Sequence, residues 1–205
     1  FASRDGWVSQ YDLYSLQKVA EIRVGLNTRN VAASADGRWL LAGNTLPENL
    51  VLLDARTLKP VKTLPVRTQQ GQLSRVSAVY DAAPRQSFIV ALKDAPELWE
   101  ISYNPAAEPI YDGYVHDYAM GEGLAKPGFL NPRRTPLDAV LDDFFFDPDY
   151  RHVIGASRDG RARAARMAGQ HPRASERRRT GVHSEQRRRV DRRQGLQQGR
   201  DHLRQ

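Results

Sequence analysis

Residues Arg29–Val66 read RNVAASADGRWLLAGNTLPENLVLLDARTLKPVKTLPV, and this stretch decides the fold. Asp36-Gly37 lies between two apolar runs, which is a strong hairpin signal because Gly accepts the positive φ of a tight turn. The short continuous apolar run after Asn49 is typical of a strand buried on both faces. The stretch therefore predicts four antiparallel strands, which together make one blade of a β-propeller. They are Arg29–Ser34, Arg38–Asn44, Leu50–Asp54 and Val61–Val66.

A repeat of 42 residues supports this interpretation. Asp12 and Asp54 are 42 positions apart, and Leu16 and Leu58 recur at the same spacing. Propeller blades repeat with about this period. Phe1–Val24 is therefore predicted to be most of a preceding blade. Asp commonly binds the backbone of the turn that follows it, so we expect both Asp residues to do so.

Two further regions of strands follow the central blade. A third blade is predicted from Ser74–Tyr80, Ser87–Leu92 and Glu97–Tyr103, and its fourth strand is not evident. Residues 104–140 contain five Pro and several aromatic residues, which predicts an ordered insertion that packs on a ligand or on neighbouring blades. Strands return over Leu141–Ser157, and the sequence ASRDG at its end repeats residues 2–6 letter for letter.

Charge is unevenly distributed along the chain. The net charge is +7, but residues 161–205 contain 14 Arg and four acidic residues, so the remaining body is mildly acidic. This Arg-rich segment has no aromatic residue and few aliphatic ones, so we predict a disordered tail after residue 160, produced by out-of-frame translation. Nucleic acid is not the predicted partner, because the tail lacks Lys and aromatic residues and the body is acidic.

Several functional classes receive no support from the sequence. There is no Cys for a disulfide framework or a thiolate metal site, and no apolar run long enough to span a membrane. No pair of His residues has metal-ligand spacing, and neither a Gly-rich phosphate loop nor a Gly-x-Ser-x-Gly motif is present. The chain begins at Phe1 rather than at Met, so we expect a fragment of a longer protein.

Four segments carry a family resemblance. They read SRDGWVSQYDL, VAEIRVGLNTRNVA, SRVSAVYDAAPRQSFIVALKD and LDDFFFDPDYRHVIGAS, and all lie within residues 1–160. They resemble the haem d1-binding propeller of cytochrome cd1 nitrite reductases and their biosynthetic relatives. The last segment is most similar to the branch that dehydrogenates dihydro-haem d1. The resemblance implies an all-β fold, a partial propeller of about three to four blades out of eight.

The resemblance also implies which residues hold the cofactor. In this family, Arg residues that project into the central pocket pair with the carboxylates of haem d1. By motif, Arg4 and Arg29 stand at two such positions, and Arg75 is a third candidate. A guanidinium suits this task because it donates two parallel charged hydrogen bonds to one carboxylate. The alternative is that these Arg residues bridge blades or cap turns.

The distal residues depart from the reductase pattern. Leu141-Asp142-Asp143-Phe144 stands where the reductases have His-Asp-Gly-Gly, and the missing His argues against nitrite reduction. Asp142 is a candidate proton donor in its place, or an ordinary turn residue. His116, which has a carboxylate beside it, is the best His candidate for chemistry, or a structural loop residue. No metal ligand is predicted within this chain.

The resemblance therefore predicts a haem d1-binding fragment of a periplasmic oxidoreductase that acts in haem d1 biosynthesis for denitrification. A c-type haem in an upstream domain would carry the electrons away, and nitrite reductase or a c-type cytochrome is the expected protein partner. Two alternatives stay open: a fragment of nitrite reductase itself, and a non-catalytic propeller that scaffolds proteins. The prediction leaves open whether this chain is an enzyme by itself.

Overall fold

Short strands account for most of the computed structural model, which describes residues 1–111, 125–157 and 160–167. All of these residues fall within the unit Phe1–Ala168. In this described part the strands are β1 (Trp7–Tyr11), β2 (Lys18–Arg23), β3 (Asn27–Ala33), β4 (Trp39–Leu46), β5 (Asn49–Asp54), β6 (Pro60–Pro65), β7 (Val76–Ala82), β8 (Ser87–Leu92), β9 (Glu97–Ser102), β10 (Pro132–Pro136), β11 (Leu141–Phe146), β12 (His152–Ser157) and β13 (Ala162–Arg166), with one 3₁₀ turn at Ala83–Arg85.

The strands form antiparallel meanders, and each meander is one blade or part of one. The sheets are β1–β2, β3–β4–β5–β6, β7–β8–β9–β10 and β11–β12–β13. The four strands predicted within Arg29–Val66 are confirmed as β3 to β6, and each end lies within two residues of its predicted position. The predicted all-β, partial propeller fold is confirmed.

The 42-residue repeat is visible in the backbone. In both copies the Asp Oδ1 accepts hydrogen bonds from the N–H groups two and three residues further on, at 2.7–3.1 Å. Leu16 and Leu58 then take the same left-handed conformation, with φ of 56° and 53°. The predicted role of Asp12 and Asp54 in the turns is therefore confirmed.

The core consists of apolar layers between neighbouring sheets. The largest cluster fills the space between β3–β6 and β7–β10, and Phe88 and Trp99 are fully buried in it. Ile89 and Phe144 belong to the cluster between β7–β10 and β11–β13, and Val8 to the cluster between β1 and β3–β6. Burying one large apolar side chain contributes about 1.5–3 kcal/mol, so these layers hold the blades face to face.

Two predicted boundaries are corrected. Pro132–Pro136 lies inside the predicted insertion 104–140, yet it pairs with β9 as the outer strand of its blade. Pro is compatible with an edge strand, where one N–H is not needed for the sheet. Ala162–Arg166 lies in the predicted tail, yet it pairs with β12. Backbone hydrogen bonds do not depend on apolar side chains, so the sheet extends beyond residue 160.

Candidate functional site

The first strands of three consecutive blades lie side by side and run in the same direction. Arg29 Nε on β3 donates to the Ser77 carbonyl on β7 at 3.0 Å, and Asn30 Nδ2 donates to the Val79 carbonyl at 2.9 Å. Ser77 Oγ in turn donates to the Leu141 carbonyl on β11 at 3.0 Å. Further along the same two strands, Tyr80 on β7 contacts Asp143 on β11. Because the contacts advance along both strands of each pair, β3, β7 and β11 begin at the same end of the sheets. We call this end the upper face.

Each of these three strands has a β-bulge near its beginning. On β3, Thr28 pairs with Asn44 and Asn30 pairs with Gly43, so Arg29 has no partner in the ladder. The register shifts in the same way between Val76 and Ala78 on β7, and between Leu141 and Asp143 on β11. Bulges redirect side chains and are frequent beside active sites. The bulged residues, at equivalent positions of the three blades, are Arg29, Ser77 and Asp142.

Arg29 presents a charged group on the upper face in a fixed orientation. Its side chain is exposed, and its Nε–H is held by the Ser77 carbonyl. No hydrogen bond or ion pair joins its two terminal nitrogens to another residue in the described ranges. Those nitrogens carry the donors that a carboxylate accepts as a pair. Arg29 therefore combines a blade-bridging contact with a cationic surface group.

Arg4 also lies on the upper face, in the turn that precedes β1. The Gly6 N–H donates to the Ser3 carbonyl at 3.1 Å and closes this turn. The turn packs tightly against Gly25, just before β3: a Cβ on Gly6 would lie 2.0 Å from the Gly25 carbonyl oxygen. The Arg4 side chain is exposed and forms no hydrogen bond with any other described residue. Arg4 and Arg29 are thus brought to the same face.

Arg75 differs from the other two arginines because its guanidinium already has a carboxylate partner. Its Nε and one terminal nitrogen lie 2.9 Å and 2.6 Å from the two oxygens of Asp94. The hydrogen bond to Asp94 and its negative charge raise the pKa of Arg75. Arg75 therefore lies on the upper face, two residues before the bulge at Ser77. The two nitrogens that could bind a ligand carboxylate together already bind Asp94.

Asp142 is exposed on the upper face and has a basic neighbour. Its Oδ1 lies 3.2 Å from Lys93 Nζ, and the Lys93 backbone N–H donates to the Arg75 carbonyl at 2.8 Å. The position of Asp142 is that of a bulged strand residue, not of a turn residue. His116 lies outside the described residues. Within the described ranges, no cluster of three or more His, Asp or Glu side chains suits a metal ion.

A phenol and a carboxylate form a second side-chain link between β7 and β11. Tyr80 Oη donates to Asp143 Oδ1 at 2.8 Å, and the Tyr80 ring packs edge-on against Phe144, with centroids 5.1 Å apart. Burial raises the pKa of Tyr80, the Asp143 contact raises it further, and the positive charge of Arg29 opposes the rise. The phenol therefore remains a hydrogen-bond donor at neutral pH.

Three residues of this face were not predicted from the sequence: Ser77, Asn30 and Lys93. Their roles depend on contacts between blades rather than on a motif. One signal was available for Ser77. It is a polar residue that follows the apolar Val76, just as Asp142 follows the apolar Leu141. That pattern becomes informative only once the strands are aligned.

The sequence profile of the family "Cytochrome D1 heme domain" matches residues 1–112. A relative from Pseudomonas aeruginosa, "Dihydro-heme d1 dehydrogenase", is 55% identical over 161 residues, which cover 78% of this chain and 28% of the relative. The chain therefore spans less than a third of that protein.

Two solved structures are similar in fold. One is "Dihydro-heme d1 dehydrogenase NirN in complex with DHE", with a TM-score of 0.66 and 51% identity over 82% of this chain and 33% of that one. The other is the β-propeller domain of Cps50 (Swd1) from Myceliophteria thermophila, with a TM-score of 0.53 and 16% identity over 80% of this chain and 47% of that one, which supports the fold alone. The described part of the chain contains no apolar helix of membrane-spanning length.

Proposed function

Because the chain belongs to the cytochrome D1 heme domain family, we propose that it is a haem d1-binding part of a periplasmic oxidoreductase that dehydrogenates dihydro-haem d1 at the end of haem d1 synthesis. The relative at 55% identity bears the name of this reaction, and the similar solved structure is a complex with DHE. The chain covers 28% of that relative, so the activity is proposed for the intact protein.

The observation that carries the proposal is the Arg29 guanidinium at its bulge. Its Nε–H lies 3.0 Å from the Ser77 carbonyl, the residue is exposed on the upper face, and Arg4 is also exposed there. An acidic tetrapyrrole carries carboxylates at its edge, and Arg binds carboxylates through charge-assisted, paired hydrogen bonds. The residues present therefore fit a haem d1-type ligand. Arg75 fits less well, because Asp94 occupies its paired donors.

The chain and the ligand have separate tasks. The tetrapyrrole supplies the redox chemistry when it is bound, and this chain holds and orients its carboxylates. Asp142 and His116 are the candidates that hold or accept a proton, and Lys93 keeps the Asp142 carboxylate in place at 3.2 Å. In the intact protein we assign electron transfer to a c-type haem domain, with nitrite reductase or a c-type cytochrome as the partner.

Titration of the full chain with dihydro-haem d1 and with haem d1 tests the proposal, with visible absorption as the readout. We expect a saturable spectral shift in the wild type. Arg29→Ala is expected to lower the affinity for the tetrapyrrole by about tenfold or more, because a hydrogen bond to a charged group contributes about 1.5–3 kcal/mol. Arg56→Ala is the matched control. Arg56 is exposed, but it follows the end of β5 and lies at the opposite end of its sheet from Arg29.

Two results would contradict the proposal. No spectral shift with either tetrapyrrole would favour a propeller that scaffolds proteins. Equal loss of affinity in Arg29→Ala and Arg56→Ala would show that Arg29 does not face the ligand.

In the intact protein, His116→Ala and Asp142→Asn are expected to reduce formation of haem d1 while the binding shift remains. Unchanged turnover in both variants would remove them as candidates.

A further inference from the structure

We propose that Ser77 is a positioning residue that sets the orientation of the carboxylate-binding Arg29; this inference rests on the proposed function. Ser77 is 1% exposed, so it does not contact a ligand itself. It occupies the bulge of β7, at the position that Arg29 occupies on β3 and Asp142 on β11. It is the buried member of a row whose other two members are exposed.

The backbone of Ser77 acts on Arg29. A bulged residue is left out of the ladder between its own strand and the next. The Ser77 carbonyl accepts the Arg29 Nε–H at 3.0 Å. A guanidinium is planar, so fixing its Nε–H fixes the plane in which its terminal nitrogens meet a carboxylate. The orientation of one peptide group on β7 therefore determines how the cation on β3 is presented.

The side chain of Ser77 holds that peptide group in place. Its Oγ donates to the Leu141 carbonyl on β11 at 3.0 Å, and the next residue on β11 is the bulged Asp142. Ser77 is thus joined to the first strands of both neighbouring blades. Its carbonyl contacts β3, and its hydroxyl contacts β11. Removing the hydroxyl leaves the buried Leu141 carbonyl without this donor and releases the bulge to move. Arg29 then loses its orientation although Arg29 itself is unchanged.

A second contact between β7 and β11 supplies the control. Tyr80 Oη donates to Asp143 Oδ1 at 2.8 Å, so Tyr80→Phe also removes one side-chain hydrogen bond between these two strands. It leaves the Ser77 carbonyl and its contact with Arg29 intact. Comparing Ser77→Ala with Tyr80→Phe therefore separates the orientation of Arg29 from a general loosening of the two blades.

The readout is the preference of the full chain for the free acid of haem d1 over its methyl ester, measured by absorption titration. Esterification removes the charge that Arg29 recognises while it keeps the macrocycle. We expect the wild type to prefer the acid and Arg29→Ala to reduce that preference by about tenfold or more. Ser77→Ala is expected to reduce the preference by about three- to tenfold, the effect of about one hydrogen bond. Tyr80→Phe and Ser77→Thr, which keeps the hydroxyl, are expected to change it less than about twofold.

The outcomes separate this inference from the proposed function. If the wild type shows no preference for the acid, or Arg29→Ala retains it, the proposed function fails. If Arg29→Ala reduces the preference while Ser77→Ala keeps it in full, only the role of Ser77 is refuted. An equal loss in Tyr80→Phe also refutes it. Should Ser77→Ala not fold, Ser77→Cys replaces it, because a thiol fills the site of the hydroxyl but is only a weak donor. The same reduction is then expected, and an unchanged preference overturns the inference.

Discussion

Removal of the Glu100 carboxylate is expected to destabilise the chain strongly. Glu100 on β9 accepts hydrogen bonds from Arg85 Nε at 3.0 Å and from a terminal nitrogen of Arg85 at 2.8 Å. The two side chains are only 9% and 12% exposed. Arg85 also donates to the Tyr150 carbonyl at 3.3 Å, so the pair connects the blade β7–β10 to the blade β11–β13. These two blades carry the Ser77 and Asp142 bulges.

The size of the effect follows from burial. Removing one partner of a buried ion pair costs about 3–5 kcal/mol, because Arg85 would lose both of its bonds to the Glu100 carboxylate in a poorly solvated site. For a protein of this size, 1 kcal/mol shifts the melting temperature by about 2–4 °C. We therefore expect Glu100→Ala to lower the melting temperature by about 6–20 °C. This is a large part of a total stability of about 5–15 kcal/mol.

Thermal unfolding followed by circular dichroism measures this effect. Glu21→Ala is the control, because Glu21 lies 3.0 Å from Lys18 but the two side chains are 33% and 48% exposed. An exposed pair contributes about 0–1 kcal/mol, so this variant is expected to melt within about 4 °C of the wild type. The double variant Arg85→Met, Glu100→Leu removes both charges and is expected to recover most of the loss.

The reasoning would be refuted in either of two ways. Glu100→Ala could melt as high as Glu21→Ala, which would show that burial does not decide the strength of the pair. Alternatively, the double variant could melt as low as Glu100→Ala. The loss would then come from packing of the side chains and not from the loss of the carboxylate beside Arg85.

Two further predictions concern the turns. Gly6→Ala is expected to lower both the melting temperature and the affinity for the tetrapyrrole, because its Cβ would lie 2.0 Å from the Gly25 carbonyl oxygen in the turn that carries Arg4. Gly37→Ala, with a similar positive φ but no atom within 4 Å of the new Cβ, should cost only about 1 kcal/mol and leave binding unchanged; equal effects would contradict the prediction. The side-chain and backbone hydrogen bonds from Thr57 lower the pKa of Asp54, so its contribution to stability is complete above about pH 4 and is lost as the pH falls through the folded-state pKa. Asp54→Asn should therefore reduce the fall in melting temperature between about pH 5 and pH 2, and an unchanged pH profile would count against this assignment.

Much of the fold follows from local sequence signals. The turn at Asp36-Gly37 and the strand that ends at Asp54 were predicted because each depends on residues close together in the chain. The 42-residue spacing placed Asp12 correctly for the same reason. The strand Pro132–Pro136 could not be predicted in this way. Its pairing with β9 joins residues 31 to 39 positions apart, and its own sequence, PRRTP, has neither apolar alternation nor strong β-propensity.

The candidate site was harder to predict because it depends on register. A bulge is defined by two strands together, so the sequence of one strand does not reveal it. The equivalent positions on β3, β7 and β11 hold Arg29, Ser77 and Asp142: a cation, a hydroxyl and a carboxylate. A search for a recurring residue type therefore selects Arg75, whose guanidinium is paired with Asp94, and misses Ser77 two residues later.

Backbone equivalence also suggests why the residue types differ. If the exposed bulges of β3 and β11 present side chains to one asymmetric ligand, each meets a different part of its edge, so a different chemical group is required at each of these two positions. Arg29 suits a carboxylate, and Asp142 beside Lys93 suits a group that gives or takes a proton. A buried Ser77 between them suits a residue that orients its neighbours. The shared feature of the site is thus the bulge of the first strand, and the residue at each bulge follows from whether that bulge faces the ligand or lies buried between its neighbours.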